Sequence, residues 1–286
     1  MARSGNRALQ QQREGATLPS MPSARTTISE MLRELVEFRE LLRAIVRRDL
    51  VLRYHNSVLG FGWAIAMPAL YMVIFTVVFT RVAPLATDIP YPIYAYAGLL
   101  PWNLFASAQR FSAISLTVNP HLVTKVYFPR EILPFAAVIV ALFDFLVASI
   151  LMAALMAYYD VGVTTAVFFL PVVLLVQLAF TAGVALLVAM ANLFYADVKY
   201  VLELLLTLWM FATSVVYPID NVGGTAGRIL ALNPMTPIVD AYRSVLLRGE
   251  LPPSGPFIAV AIVAVLTLGV GWYTFHRAEF RLAEEL

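Results

Sequence analysis

Cysteine is absent from the 286 residues, which excludes disulfides, thiolate metal sites and thiol nucleophiles. Histidine occurs three times, at His55, His121 and His276, without the spacing of metal ligands. Lysine occurs only at Lys125 and Lys199, which follow Thr and Val. The Gly-Lys-Ser/Thr end of a nucleotide phosphate loop is therefore missing, and the chain cannot hydrolyse ATP by that route. Neither G-x-S-x-G nor H-E-x-x-H occurs. Charge is scarce as well: 13% of residues are Asp, Glu, Lys or Arg, against about 25% in soluble domains. The formal net charge of +2 offers no broad basic field for nucleic acid. These absences leave no catalytic residue, no metal site and no cofactor to assign to this chain.

What remains is apolar. The hydrophobic fraction is 60% and the mean hydropathy is +0.79, more apolar surface than a soluble core could absorb. An all-α integral membrane protein follows. A helix needs about 20 apolar residues to cross the hydrocarbon. Six spans are expected, at about 57–80, 95–117, 132–157, 165–191, 199–217 and 256–275. Residues 229–239, ILALNPMTPIV, are apolar but too short to cross, and their prolines suggest re-entrant or interfacial helices between spans five and six.

The first 26 residues are polar, lack the apolar core of a secretory signal and read as a disordered cytosolic tail. Thr27 and Glu30 then form a capping-box pattern. Ile28, Met31, Leu32, Leu35, Phe38, Leu42 and Ile45 follow at helical spacing, with arginines and glutamates between them. Residues 27–50 are read as an amphipathic helix in the membrane surface, its arginines near anionic head groups; the alternative is a soluble helix packed on a partner. The six-span domain covers 51–286.

Lys and Arg near span ends set orientation. One side collects the arginines of 25–53, then Lys125, Arg130, Lys199, Arg277 and Arg281. The other receives Arg81, Arg228, Arg243 and Arg248. Both termini and the segment 118–131 are thereby expected in the cytosol, and 218–254 on the far side. Three charges fall inside spans: Arg110, Asp144 and Glu203. Such charges face protein or water. Arg110 with Asp144 is expected to form a structural ion pair between spans two and three, with a proton relay as the alternative, while Glu203 sits near the cytosolic boundary.

The runs RDLVLRYHNSVLGFGWAIAMPALYMVIF (48–75), NPHLVTKVYFPREILP (119–134) and ALNPMTPIVDAYRSVLLRG (231–249) resemble the permease subunits of ABC-2 type exporters, most of all those that move O-antigen, capsule or teichoic acid chains. The resemblance covers about 28–286. It implies a homodimer of permeases working with two copies of a separate ATPase, which binds the ATP and magnesium, in the bacterial cytoplasmic (inner) membrane. It implies a lipid-linked glycan as cargo, carried on a polyprenyl diphosphate. It makes 118–131 a coupling segment docked on the ATPase, in which Val126, Tyr127 and Phe128 are apolar anchors, Pro129 ends a short element, and Arg130 and Glu131 pair with a charged partner. A plain solvated loop is the other reading of that segment. It also makes 218–254 an extracytoplasmic gate region. Aromatic faces grip sugars with little chemical discrimination. Trp63, Tyr71, Phe75 and Phe79 of span one, Trp102 and Phe105 of span two, and Trp209 and Tyr217 of span five are candidates for the translocation path. Membrane-interface anchoring and helix packing compete for the same side chains. Two other functions stay open at this point: a permease for a small amphiphile, and an ATP-independent carrier, which should show several coupling-ion residues at the midplane.

Overall fold

The computed structural model describes residues 33, 36–55, 57–85, 89–119, 128–218, 224, 227, 230 and 232–285, with side chains as far as 278. The chain divides into Met1–Glu37 and Phe38–Leu286. In the first unit the described residues are Arg33, Val36 and Glu37, all helical; the expected cytosolic tail 1–26 lies outside the described residues.

The second unit is helical, with eight α-helices among the described residues. They are α1 (Arg39–Tyr54), α2 (Gly62–Val77), α3 (Tyr91–Ser115), α4 (Ile132–Tyr158), α5 (Leu170–Phe194), α6 (Val198–Phe211), α7 (Met235–Arg243) and α8 (Ser254–Glu285). A π-turn, Val78–Val82, extends α2, and another, Ser244–Arg248, extends α7. A 3₁₀ turn, Thr165–Phe169, leads into α5, and the Thr164 hydroxyl caps it by accepting from the Ala166 N–H.

Among the described residues, four segments are long and apolar enough to cross a membrane: Gly62–Val82, Ile132–Tyr158, Thr165–Phe194 and Ser254–Ala278. They coincide with expected spans one, three, four and six. The other two expected spans differ from these for physical reasons. α3 has 25 residues, ample length, but carries Tyr, Trp, Asn, Gln, Ser and Arg side chains. α6 has 14 residues, about 21 Å of helix at 1.5 Å per residue, short of the roughly 30 Å hydrocarbon core.

The polarity of α3 is accommodated by burial. It packs against α2, α4, α5, α6 and α7, and most of its residues are buried. Several of its polar groups are bonded to those neighbours. The Tyr96 hydroxyl donates to the Ala148 carbonyl of α4 at 2.8 Å. Gln109 donates to the Thr181 carbonyl of α5 at 3.1 Å, and Gln177 of α5 donates back to the Pro101 carbonyl at 2.7 Å. In an apolar interior an unmade hydrogen bond is expensive, so these bonds fix register as well as contact.

On one side α5 and α8 cross with no side chains between their backbones. A Cβ on Gly183 would stand 2.6 Å from the Leu268 nitrogen, and a Cβ on Gly271 would meet the Gly183 carbonyl. Glycine permits this approach, as small residues do generally where helices meet in a membrane. On the opposite side α2 is nearly bare: Pro68 is its one buried residue. α6 buries only Leu202 and Leu206, and Leu204, Leu205, Leu208 and Phe211 are exposed.

Candidate translocation path and coupling surfaces

The end of α1 is tied into the bundle. Arg53 forms an ion pair with Asp144 of α4, Tyr54 donates its hydroxyl proton to the same carboxylate, and the Arg53 guanidinium lies 3.8 Å over the Phe111 ring of α3. Burial and the hydrogen bond to Asp144 push the Tyr54 phenol up to about 12, so it keeps its proton and remains a donor. Arg110, the partner expected for Asp144, instead bonds Glu203 of α6 through Nε at 3.0 Å from both carboxylate oxygens. The expected Arg110–Asp144 pair is therefore corrected to two pairs, Arg53–Asp144 and Arg110–Glu203. An arginine outside the spans reaches Asp144 because α1 continues to Tyr54, four residues past the expected boundary.

Both pairs border one cavity of about 600 Å³ between α1, α2, α3, α4 and α6. Trp63 and Tyr71 of α2 line it and are 47% and 45% exposed, which leaves them available to something passing along α2. Asn103 of α3 also lines it, and its Nδ2 is buried with no hydrogen-bond partner among the described residues. The cavity thus combines aromatic faces, an unsatisfied amide donor and two ion pairs, a mixture suited to a hydroxyl-rich ligand.

The other aromatic candidates divide differently. Trp102 and Phe105 are 3% and 0% exposed and belong to the core, which corrects their assignment to a path: Phe105 stacks on Phe180 of α5 and meets Trp209 edge-on. Phe75 and Phe79 stack on each other at 6.2 Å, and Phe79 packs on Tyr91 at 5.7 Å, so the lower and upper parts of the α2 stripe do different work. Trp209 is partly buried, with its indole N–H donating to Asn233 at 2.8 Å. Tyr217 donates to the Phe211 carbonyl across the turn that ends α6.

Val126 and Tyr127 of the coupling segment lie outside the described residues. Phe128 and Pro129 are buried, and Glu131 is 0% exposed. Glu131 accepts from the Trp272 indole of α8 at 3.3 Å, and His276 Nδ1 lies 4.0 Å away. The expectation that Phe128 and Glu131 face a partner is corrected accordingly: both are covered by this chain, and Glu131 joins the start of α4 to the C-terminal part of α8. Arg130 is partly exposed.

The segment expected to form a gate is held by residues whose contacts the sequence did not single out. Arg243 is 1% exposed, so it is no loop charge of the kind used to orient the chain. Its guanidinium lies 3.8 Å over the Tyr94 ring, donates to the Val215 carbonyl at 2.7 Å and to the Ser214 carbonyl, and pairs with Asp240 at 3.4 Å. A Cβ on Gly98 would meet this guanidinium at 2.6 Å, so the glycine makes room for the arginine. Asn233 accepts from Trp209 and from the Met235 N–H, and donates to the Ala212 carbonyl at 2.8 Å and the Thr213 hydroxyl at 2.7 Å. The pattern D-x-x-R at 240–243 was the available signal, because it places both charges on one helical face.

These features define a multi-pass helical membrane protein with an open aromatic cavity and a bonded cap over its far end. Residues 40–247 match the family model described as ABC-2 type transporter, and the chain belongs to that family. It is 35% identical over 259 residues to the O-antigen export system permease protein RfbA of Myxococcus xanthus, covering 90% of this chain and 99% of that one. It is 29% identical to the protein of the same name from Klebsiella pneumoniae, over 86% of this chain and 95% of that one. Its identity to the polysialic acid transport protein KpsM of Escherichia coli is 23%, over 83% and 93% of the two chains. As a permease of this family it carries no cofactor and hydrolyses no ATP; a partner ABC ATPase binds the nucleotide.

The Arg53–Asp144 pair is tested by a double-mutant cycle. Asp144→Ala should destabilise the protein by about 3 kcal/mol, the low end for a buried pair because about a fifth of each side chain stays exposed. Adding Arg53→Ala should recover part of that loss in a thermal melt, whereas adding Arg110→Ala should not.

Proposed function

We propose that the chain is the permease of an ATP-driven exporter that moves a lipid-linked polysaccharide across the bacterial cytoplasmic membrane. The observation that carries this reading is the 35% identity extending over 99% of an O-antigen export permease. The cavity beside α2 supports it physically, since Trp63 and Tyr71 present flat apolar faces next to polar groups. The sparsely covered faces of α2 and α6 flank the same cavity and are where a second permease closes the path. The working assembly is two permeases and two ATPases.

In this reading the chain crosses six times. α3 crosses although it is too polar to be recognised by hydropathy, because neighbours enclose it. α6 crosses together with the bonded turn 212–217 and α7. Both termini and residues 118–131 lie in the cytosol, α1 lies in the membrane surface, and 218–254 forms the extracytoplasmic gate. Coupling runs from the ATPase through Val126, Tyr127 and Arg130. Glu131, bonded to Trp272, passes the displacement on to α8.

The absence of native cysteine makes the topology directly measurable. Single cysteines in place of Lys125 and Gly223 should react with an impermeant maleimide from opposite sides of the membrane; labelling from one side would refute the arrangement. For cargo, Trp63→Ala with Tyr71→Ala should reduce surface glycan severalfold with little change in melting temperature, since exposed side chains leave no packed cavity when removed. Normal surface glycan in that variant would remove the aromatic cavity from the path. For coupling, Arg130→Ala should weaken co-purification with the ATPase or lower export at unchanged membrane abundance, and unchanged values of both would exclude Arg130 from the contact.

A further inference from the structure

A second cavity, of about 680 Å³, lies along the outer side of α1. Arg39, Arg43 and Arg47 line it. They are spaced by four residues, so they recur on one face of α1 over about 12 Å. Arg39 and Arg43 share the Glu40 carboxylate, at 3.7 and 2.7 Å, and Arg47 has no ion pair among the described residues. Three guanidiniums therefore stand against one carboxylate on this edge. The remaining wall is largely apolar: Val46 and Leu50 of α1, Phe61 from the turn before α2, and Ile139 of α4. Phe61 is fixed there by ring contacts with Tyr54 at 4.4 Å and Phe143 at 5.4 Å.

A row of cations beside an aliphatic trough matches one class of molecule, an amphiphile with an anionic head and a hydrocarbon tail. A free phosphate would leave the trough empty, and a sugar would find few polar partners in it. We propose that this groove binds an anionic glycerophospholipid, its phosphate held by Arg43 and Arg47 and one acyl chain lying along Val46 and Leu50 towards Phe61 and Ile139. The inference rests on the reading of α1 as a helix in the membrane surface. A lipid so placed fills the space between α1 and α4 beside the Arg53–Asp144 anchor, and makes the seating of α1 dependent on the lipid composition of the bilayer.

The test uses the permease purified with its ATPase and placed in nanodiscs of phosphatidylcholine with or without phosphatidylglycerol. Lipid retained through a detergent wash is identified by native mass spectrometry. The native chain should retain phosphatidylglycerol in preference to phosphatidylcholine. Arg43→Gln with Arg47→Gln should reduce that retention by roughly tenfold or more, as expected for two arginines near a phosphate. Val46→Trp, which fills the trough and leaves the charges intact, should reduce it as well. Equal retention of the two lipids by the native chain would overturn the proposal. So would retention unchanged by the arginine pair, retention sensitive to the arginines but not to Val46→Trp, or recovery of a polyprenyl diphosphate in place of the phospholipid. A spin label at Leu52→Cys reports the depth of α1 independently. Interfacial depth with no lipid preference would remove the site alone, and a label in bulk water would overturn the surface position of α1 and the site with it.

Discussion

The arrangement depends on the enclosure of α3. A helix with Tyr96, Asn103, Gln109 and Ser112 along its length cannot face hydrocarbon, because its polar groups would lose water and gain nothing. Surrounding it with α2, α4, α5, α6 and α7 supplies protein partners instead. The reciprocal bonds between Gln109 and α5, and between Gln177 and α3, set the heights of these two helices against each other. Arg243 does the same at the far end, where one guanidinium joins α3, α7 and the turn after α6. The turn after α6 and α7 are thus attached to the helix at the centre of the bundle.

The end of the bundle that holds the start of α4 is organised by acids that lie within the chain rather than at its surface. Asp144 receives Arg53 and Tyr54 and so ties down the end of α1, and Glu131 receives Trp272 and so ties down the C-terminal part of α8. Both acids lie on α4 or at its first turn. α4 therefore connects the surface helix, the segment expected to meet the ATPase, and the C-terminal helix.

Much of this was legible in the sequence. Expected spans three and four, 132–157 and 165–191, agree with Ile132–Tyr158 and Thr165–Phe194 to within three residues at each end, because both are long apolar stretches, interrupted by charge only at Asp144. Residues 95–117 were expected as a span despite Arg110 within them, although hydropathy alone does not select α3. Pairing was not legible. Asp144 is as near in sequence to Arg110 as a hairpin requires, yet it takes an arginine from α1, since helix order along the chain does not determine which faces meet. The aromatic residues failed for a related reason. Trp102 and Trp63 look alike by composition, and only the enclosure of α3 places one in the core and the other beside the cavity. Gly183 and Gly271 gave no signal at all, because a single glycine in an apolar run is informative only when its opposite number is known.

That glycine crossing has a mechanical meaning. Two backbones in direct contact have no rotamers to exchange and no slack to take up, so α5 and α8 are bound to travel as one strut. Helices α2 and α6, by contrast, bury few of their own residues within this chain. The backbone between α1 and α2 turns at Gly60, whose φ of 50° is a left-handed conformation that glycine adopts freely.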